Sequence, residues 1–137
     1  MITEDFVSFE TAKLLKEKGF ESDECVAIYD LGDNNAFIRD SGIFENGPED
    51  YLEFQWGEEW RRFGYYLAPT LQMARKWLIE NYNIHIEVRY FPMPDIYRYV
   101  IIHSPTTIEN IDSHPQYFNT YEEACEAAIK YCLENLI

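Results

Sequence analysis

Residues 84–102 read IHIEVRYFPMPDIYRYVII, and they carry the strongest structural signal in the chain. Apolar and polar residues alternate along 84–90, which is typical of a strand with one buried face. The prolines and the aspartate of 92–95 predict a turn, and the β-branched and aromatic residues of 96–102 predict a return strand. We therefore predict an antiparallel hairpin.

The register of this hairpin is predicted from burial and charge. Pairing Val88 with Val100 would place one coherent apolar face on the core. A slip of one residue would instead place Arg89 directly opposite Arg98, and like charges at opposed positions destabilise a strand pair. We expect the first register.

Three helix-start patterns lie on either side of the hairpin. Each has a hydroxyl side chain that can accept from a free amide of the first turn, then an acid or amide residue, and an alanine one turn in. The helices are predicted to begin after Ser8, Thr70 and Thr120. The first should end at Gly19, the second near Asn81 and the third close to the end of the chain.

The remaining segments carry weaker signals. Two short strands are predicted at 25–29 and 36–39. The segment 41–66 is irregular and rich in both acids and rings, and only 51–56 suggests an ordered element, a short strand. Residues 104–118 are expected to form a loop, because their opening Ser-Pro pair interrupts a strand.

These elements predict the α+β class, with a mostly antiparallel sheet of about four to five strands packed against three helices. The predicted order is α-ββ-(β)-α-ββ-α. A chain of 137 residues is expected to form a single domain over 1–137, with an irregular aromatic-rich insert at 41–66.

Charge limits the classes of partner. The chain has 11 Lys and Arg against 25 Asp and Glu, a net charge of −14, which opposes binding to a nucleic-acid backbone or an anionic membrane. We expect cationic or apolar partners. The chain shows neither a basic, apolar leader nor a run of roughly 20 apolar residues, so we expect a cytoplasmic protein.

The three cysteines are Cys25, Cys125 and Cys132. The last two are seven residues apart on one predicted helix, which separates them by about 10 Å, beyond the roughly 7 Å Cα limit for a disulfide. We interpret the cysteines as buried thiols in a reducing compartment.

Two histidines are the best candidates for an enzyme active site or a metal site. In the expected register, His85 faces His103 on the side of the hairpin that carries Glu87, but a metal site needs three or four such ligands. No nucleophile or metal motif accompanies them. A small hydrolase or metal enzyme using this pair is the weakest hypothesis, and we expect no enzyme, cofactor, catalytic residue or metal ligand.

The insert is the best candidate for a partner-binding surface, because Trp, Tyr and Arg dominate interaction hot spots. Its candidate residues are Trp56, Trp60, Arg61, Arg62, Phe63, Tyr65 and Tyr66. The alternative is that these rings cover an edge of the core while the arginines pair with nearby acids. The sequence leaves both interpretations open.

Three segments carry a resemblance to a known family. They read DFVSFETAKLLKEKGF at 5–20, APTLQMARKWL at 68–78 and YEEACEAAIKYCLEN at 121–135. The chain resembles a family of small acidic proteins of gut anaerobic bacteria and their prophages. The resemblance implies an accessory or mobile-element setting, and it supplies no catalytic residues.

The leading hypothesis is therefore a non-enzymatic, cytoplasmic accessory or protein-interaction module that presents the insert to a protein partner. In its second form the partner is another copy of the chain, paired through an edge strand such as 51–56. The alternative is an acidic decoy that inhibits a host DNA-binding or defence enzyme, with carboxylates in place of phosphates.

Overall fold

The computed structural model describes residues 5–22, 27–32, 37–40, 47–109 and 117–137. Its helices and strands, in chain order, are α1 (Phe9–Glu17), β1 (Ala27–Asp30), β2 (Phe37–Asp40), α2 (Pro48–Trp56), α3 (Trp60–Phe63), β3 (Tyr65–Leu67), α4 (Leu71–Tyr82), β4 (His85–Phe91), β5 (Ile96–His103), β6 (Thr106–Glu109) and α5 (Tyr121–Asn135). The strand pairs are antiparallel, and the predicted α+β class is confirmed.

Contacts within the chain group these elements into two compact units, residues 6–70 and residues 71–137 with 1–5. Each unit contains one three-stranded sheet, in the order β2-β1-β3 in the first and β4-β5-β6 in the second. The described strands thus form two small sheets where the sequence predicts one larger sheet. The assignment of the chain to a single domain stays a prediction.

Helix α1 begins and ends where the sequence predicts. The Ser8 hydroxyl accepts a hydrogen bond from the Thr11 backbone N–H at 3.3 Å. At the other end Gly19 has a φ of +87°, and the Phe20 N–H donates to the Leu15 carbonyl at 2.9 Å. A residue without Cβ adopts this left-handed conformation at little cost, so the glycine ends the helix.

The other two predicted helices are also confirmed. Helix α4 ends at Tyr82, and Asn83 follows it with a φ of +52°. At the start of α5, the Thr120 hydroxyl accepts from the Glu123 N–H at 3.1 Å. The Glu123 carboxylate in turn accepts from the Asn119 N–H at 3.3 Å. This reciprocal pair of bonds satisfies amide groups at the helix start.

The strand predicted at 51–56 is wrong, because these residues belong to helix α2. Pro48 occupies the first turn, where its missing N–H costs nothing, and Glu49 and Asp50 lie beside the positive end of the helix dipole. Leu52 is fully buried, whereas Phe54 is 89% exposed. A strand would have placed those two side chains on one face.

The predicted register of the hairpin is also wrong. Arg89 lies opposite Arg98, so Val88 does not pair with Val100. The opposed charges are tolerated because each has a local neighbour: Arg89 pairs with Glu87 at 3.3 Å, and Arg98 stacks on aromatic rings. The predicted turn at 92–95 is confirmed.

The observed register still buries an apolar face. Ile101 lies opposite both Ile86 on β4 and Ile108 on β6, and Ile86 and Ile101 are buried. Two residues from Ile101, the Tyr99 ring lies 6.5 Å from the ring of Tyr131 in α5. Packing of α5 against this face therefore stabilises a register that charge alone disfavours.

The loop predicted at 104–118 contains a missed strand. Strand β5 ends at His103, as expected, but 104–105 form a turn into β6, which pairs with β5. Of the earlier strands, the predicted 25–29 and 36–39 correspond to β1 and β2, and residues 25–26 and 36 lie outside the described part of the chain.

Two alanines test the predicted helix faces. Ala74 on α4 and Ala128 on α5 are fully buried, and the two helices contact each other. Because added methylene groups overpack such positions, Ala74→Leu and Ala128→Leu should each lower the free energy of unfolding by about 1–3 kcal/mol. Urea denaturation measures this change, and midpoints equal to the parent's would contradict the assigned faces.

The thiols of Cys125 and Cys132 are buried and free, as predicted, and Cys25 lies outside the described residues. Burial is the largest cause that raises the pKa of Cys125 to about 11 and of Cys132 to about 12. In a Cys25→Ser variant, we expect both thiols to resist alkylation at neutral pH until the protein unfolds.

The same pKa shifts predict a pH dependence of stability. Because the folded pKa values lie above the reference value of 9.0, the folded protein holds the thiol protons more tightly than the unfolded chain does. The contribution of the two thiols to the free energy of unfolding is therefore complete below about pH 9 and is lost as pH rises towards 11 to 12. For the alkylation experiment, labelling of the same variant in urea is the control. Labelling of the folded protein at the rate seen in urea would contradict the assignment of both thiols as buried.

No helix among the described residues combines the length and the apolar character that a bilayer-crossing segment needs.

Candidate functional site

The candidate partner-binding residues lie on three elements of the unit 6–70. Trp56 ends α2, Trp60 to Phe63 form α3, and Tyr65 and Tyr66 begin β3. We call residues 56–66 the aromatic segment. Its five rings are half-buried and its two arginines are exposed. The structure thus distributes these side chains among different neighbours.

Trp56 and Phe63 pack together around β1. Their ring centroids are 5.6 Å apart, and the Trp56 indole N–H donates to the buried Asp30 carboxylate at 2.9 Å. The rings close over Gly32, where an added Cβ would lie 3.0 Å from Trp56 and closer still to Phe63. For Trp56 and Phe63, a role in packing therefore describes the structure better than a role in a partner-binding surface.

Tyr66 belongs to a second group of rings. Its centroid lies 5.6 Å from that of Phe9 on α1, and the Lys16 ammonium lies 5.1 Å from the Tyr66 ring centroid. Phe9 also makes an edge contact with Tyr29, whose hydroxyl donates to the Val7 carbonyl at 2.7 Å. These contacts pack α1 against the β2-β1-β3 sheet.

Trp60 and Tyr65 instead line a cavity of about 470 Å³. Gly64 lies between them with a φ of +72°, and its N–H donates to the Trp60 carbonyl at 2.7 Å. Only glycine adopts this backbone readily, so Gly64 ends α3 and directs the chain into β3, which begins at Tyr65. The two rings are 6.2 Å apart at this turn.

Residues from other elements complete the lining. The side chains with rings or charges that the sequence did not single out are Lys16, Phe20, Glu21 and Glu49. Lys16 and the residues after it are brought there because α1 packs against β3. The Lys16 ammonium donates to the Tyr65 carbonyl at 3.3 Å, which links residues 49 positions apart. No local sequence pattern marks such a set.

One residue that lines the cavity has a donor without an acceptor. The Trp60 indole N–H is buried and has no hydrogen-bond partner among the described residues. The Tyr65 hydroxyl donates to Glu49 at 3.4 Å, and burial, followed by the charge and hydrogen bond of Glu49, raises the pKa of Tyr65. With one ammonium and two carboxylates, the lining suits an apolar or cationic group.

The arginines of the aromatic segment lie outside this lining. The Arg61 guanidinium lies 5.6 Å from the Trp60 ring centroid, and Arg62 is exposed at the last turn of α3. Arg61 therefore flanks the tryptophan that lines the cavity.

The hypothesis of an enzyme site at His85 and His103 requires the two side chains to face each other, and this expectation is wrong. His85 lies opposite Ile102 and His103 opposite Thr106, so the two histidines occupy opposite faces of the β4-β5-β6 sheet. His85 instead hydrogen bonds to Asn83 at 3.0 Å. Within the described ranges, no group of three or more His, Cys, Asp or Glu is placed to hold a metal ion.

Comparisons of the chain with protein-family models, curated proteins and solved structures find no match.

Proposed function

We propose that the protein is a non-enzymatic, cytoplasmic protein-interaction module in an accessory or mobile-element setting. Its partner-binding surface is the mouth of the cavity lined by Trp60 and Tyr65. The observation that carries this proposal is the cavity itself, which is large enough for a partner's anchor side chain and lies beside exposed residues of the aromatic segment.

The residue types at this site support recognition of a partner. Rings of Phe20, Trp60 and Tyr65 offer apolar walls, and well-packed pockets of this kind hold the anchors that dominate interface energies. Glu21 and Glu49 add negative charge, in keeping with the net charge of −14. The partner group should therefore be apolar or cationic at its tip.

One form of self-association is removed by the fold. Residues 51–56 are helical and cannot pair as an edge strand with a second copy. A homodimer remains part of the proposal only through the cavity mouth.

The decisive experiment compares two aromatic truncations in neighbouring elements. Trp60→Ala removes a cavity wall, whereas Phe54→Ala removes a ring that is 89% exposed and does not line the cavity. We expect Trp60→Ala to weaken capture of a host partner, or self-association, by at least about tenfold. Phe54→Ala should leave both unchanged.

The readouts are affinity capture from host lysate, oligomeric mass by light scattering, and a thermal melt of each variant. Glu49→Gln is a third variant that alters the cavity without truncating a ring. Equal capture by the parent and by a folded Trp60→Ala variant would contradict the proposal, as would loss of binding in Phe54→Ala alone.

A further inference from the structure

Arg98 is held between two aromatic rings in the unit 71–137. Its guanidinium carbon lies 5.0 Å from the ring centroid of Phe91 and 4.8 Å from that of Tyr117. Contact with two rings restricts the guanidinium and replaces water over part of its surface. The side chain is half-buried.

One donor of this cation lacks an acceptor. The Nε–H of Arg98 is buried without a hydrogen-bond partner, and within the described part of the chain the guanidinium contacts the rings of Phe91 and Tyr117. A buried donor left unpaired costs free energy, and an unpaired charge costs more. An external oxygen acceptor would remove both costs.

The nearest cation makes an anion at this position more favourable. Arg89 lies directly opposite Arg98 in the strand pair, and like charges there destabilise the sheet. Glu87 pairs with Arg89 at 3.3 Å. The Nε–H of Arg98, by contrast, has no acceptor among the described residues.

The net charge of −14 does not prevent local binding of an anion. At physiological ionic strength the Debye length is about 8 Å, so distant exposed carboxylates are largely screened and the nearest charges dominate. Around Arg98, the closest described charge on the facing strand is the positive one of Arg89.

We propose that Arg98 binds a carboxylate of a peptide partner, with the planar guanidinium fork donating two hydrogen bonds. A carboxylate matches this fork and neutralises one charge. A phosphate dianion would need a second cation, and Arg89 is already paired with Glu87. Partly exposed Phe91 and Tyr117, and Met93 at the hairpin turn, provide apolar surface for the rest of the peptide.

The test follows the Arg98 Nε–H signal by NMR during titration with sodium acetate at constant ionic strength, with sodium phosphate in a parallel series. The signal is assigned from its loss in Arg98→Lys. We expect a saturable shift with acetate and a weaker one with phosphate. The Arg75 Nε–H signal is the internal control, because that guanidinium already donates to the Ile86 carbonyl and the Tyr121 hydroxyl at 2.6 Å.

Two peptides separate the sources of the carboxylate. One carries a glutamate and an amidated C-terminus, and the other has no acidic side chain and a free C-terminus. We expect saturable binding of at least one, weakened by about tenfold or more in a folded Arg98→Lys variant, which keeps the charge and loses the fork.

Three results would overturn the proposal: no saturable shift with acetate or either peptide, tighter binding of phosphate than of acetate, or peptide affinity unchanged in Arg98→Lys. A fourth concerns Glu109, which lies opposite Val100 in the register. If Glu109→Gln alone shifts the Arg98 signal and creates the acetate response, the partner is internal. The site lies in a different unit from the cavity, so its failure leaves the proposed function intact.

Discussion

Leu52→Ala should lower the free energy of unfolding by about 2–5 kcal/mol, whereas Phe54→Ala should change it by less than about 0.5 kcal/mol. Leu52 is the fully buried side chain of α2, and Phe54, two residues later, is 89% exposed. Removal of buried methyl groups loses their burial and leaves a cavity, whereas truncation of an exposed ring does neither.

Urea denaturation of both variants measures the difference, with the parent protein as reference. The pair tests the helix directly, because residues two apart share a face in a strand and diverge in a helix. Similar losses in the two variants would contradict helix α2. The oligomeric mass of Phe54→Ala should equal that of the parent protein, so that the two unfolding free energies refer to the same oligomeric state.

Helix ends were predictable because their determinants are local. The Ser8 and Thr120 hydroxyls bond to amides three residues away, and Gly19 ends α1 through its own backbone conformation. Interactions of such short range are visible in any window of a few residues. Helix α2 has comparable signals at Pro48 to Asp50, but the many rings that follow them suggested a strand.

The hairpin register was not predictable from the two strands alone. Repulsion between Arg89 and Arg98 argues for a slip, and it is offset by Glu87 and by rings, one of which, Tyr117, comes from a distant part of the chain. Strand β6 adds further pairs with β5. Such tertiary contacts outweigh a surface pair of charges, which is worth little in water.

The candidate site was predictable in part. The density of rings in the sequence indicates Trp60 and Tyr65 as site residues, and both line the cavity. Their partners Lys16, Phe20 and Glu49 are remote in sequence, and the packing of α1 against β3 and of α2 against α3 brings them to the cavity. Composition identifies the type of residue that can form a site, whereas the fold determines which residues of that type do so.

Asp30→Ala should destabilise the protein by about 2–5 kcal/mol. The Asp30 carboxylate is fully buried, and it accepts from the Gly32 backbone N–H and the Trp56 indole N–H, both at 2.9 Å. Alanine removes both acceptors and leaves two donors with reduced access to water, and each unpaired buried donor costs roughly 1–3 kcal/mol. Thermal and urea unfolding followed by circular dichroism measure the loss.

A double-mutant cycle assigns this loss to the bond with Trp56. Asp30→Ala removes the acceptor of the Trp56 N–H, and Trp56→Phe keeps a ring beside Phe63 while removing the N–H. We expect Trp56→Phe to cost about 1–3 kcal/mol and the double variant to cost less than the sum of the two single variants, because both remove the same hydrogen bond. Strict additivity would contradict an interaction between the two residues, and with it the assignment of the Trp56 hydrogen bond to the packing of the aromatic segment.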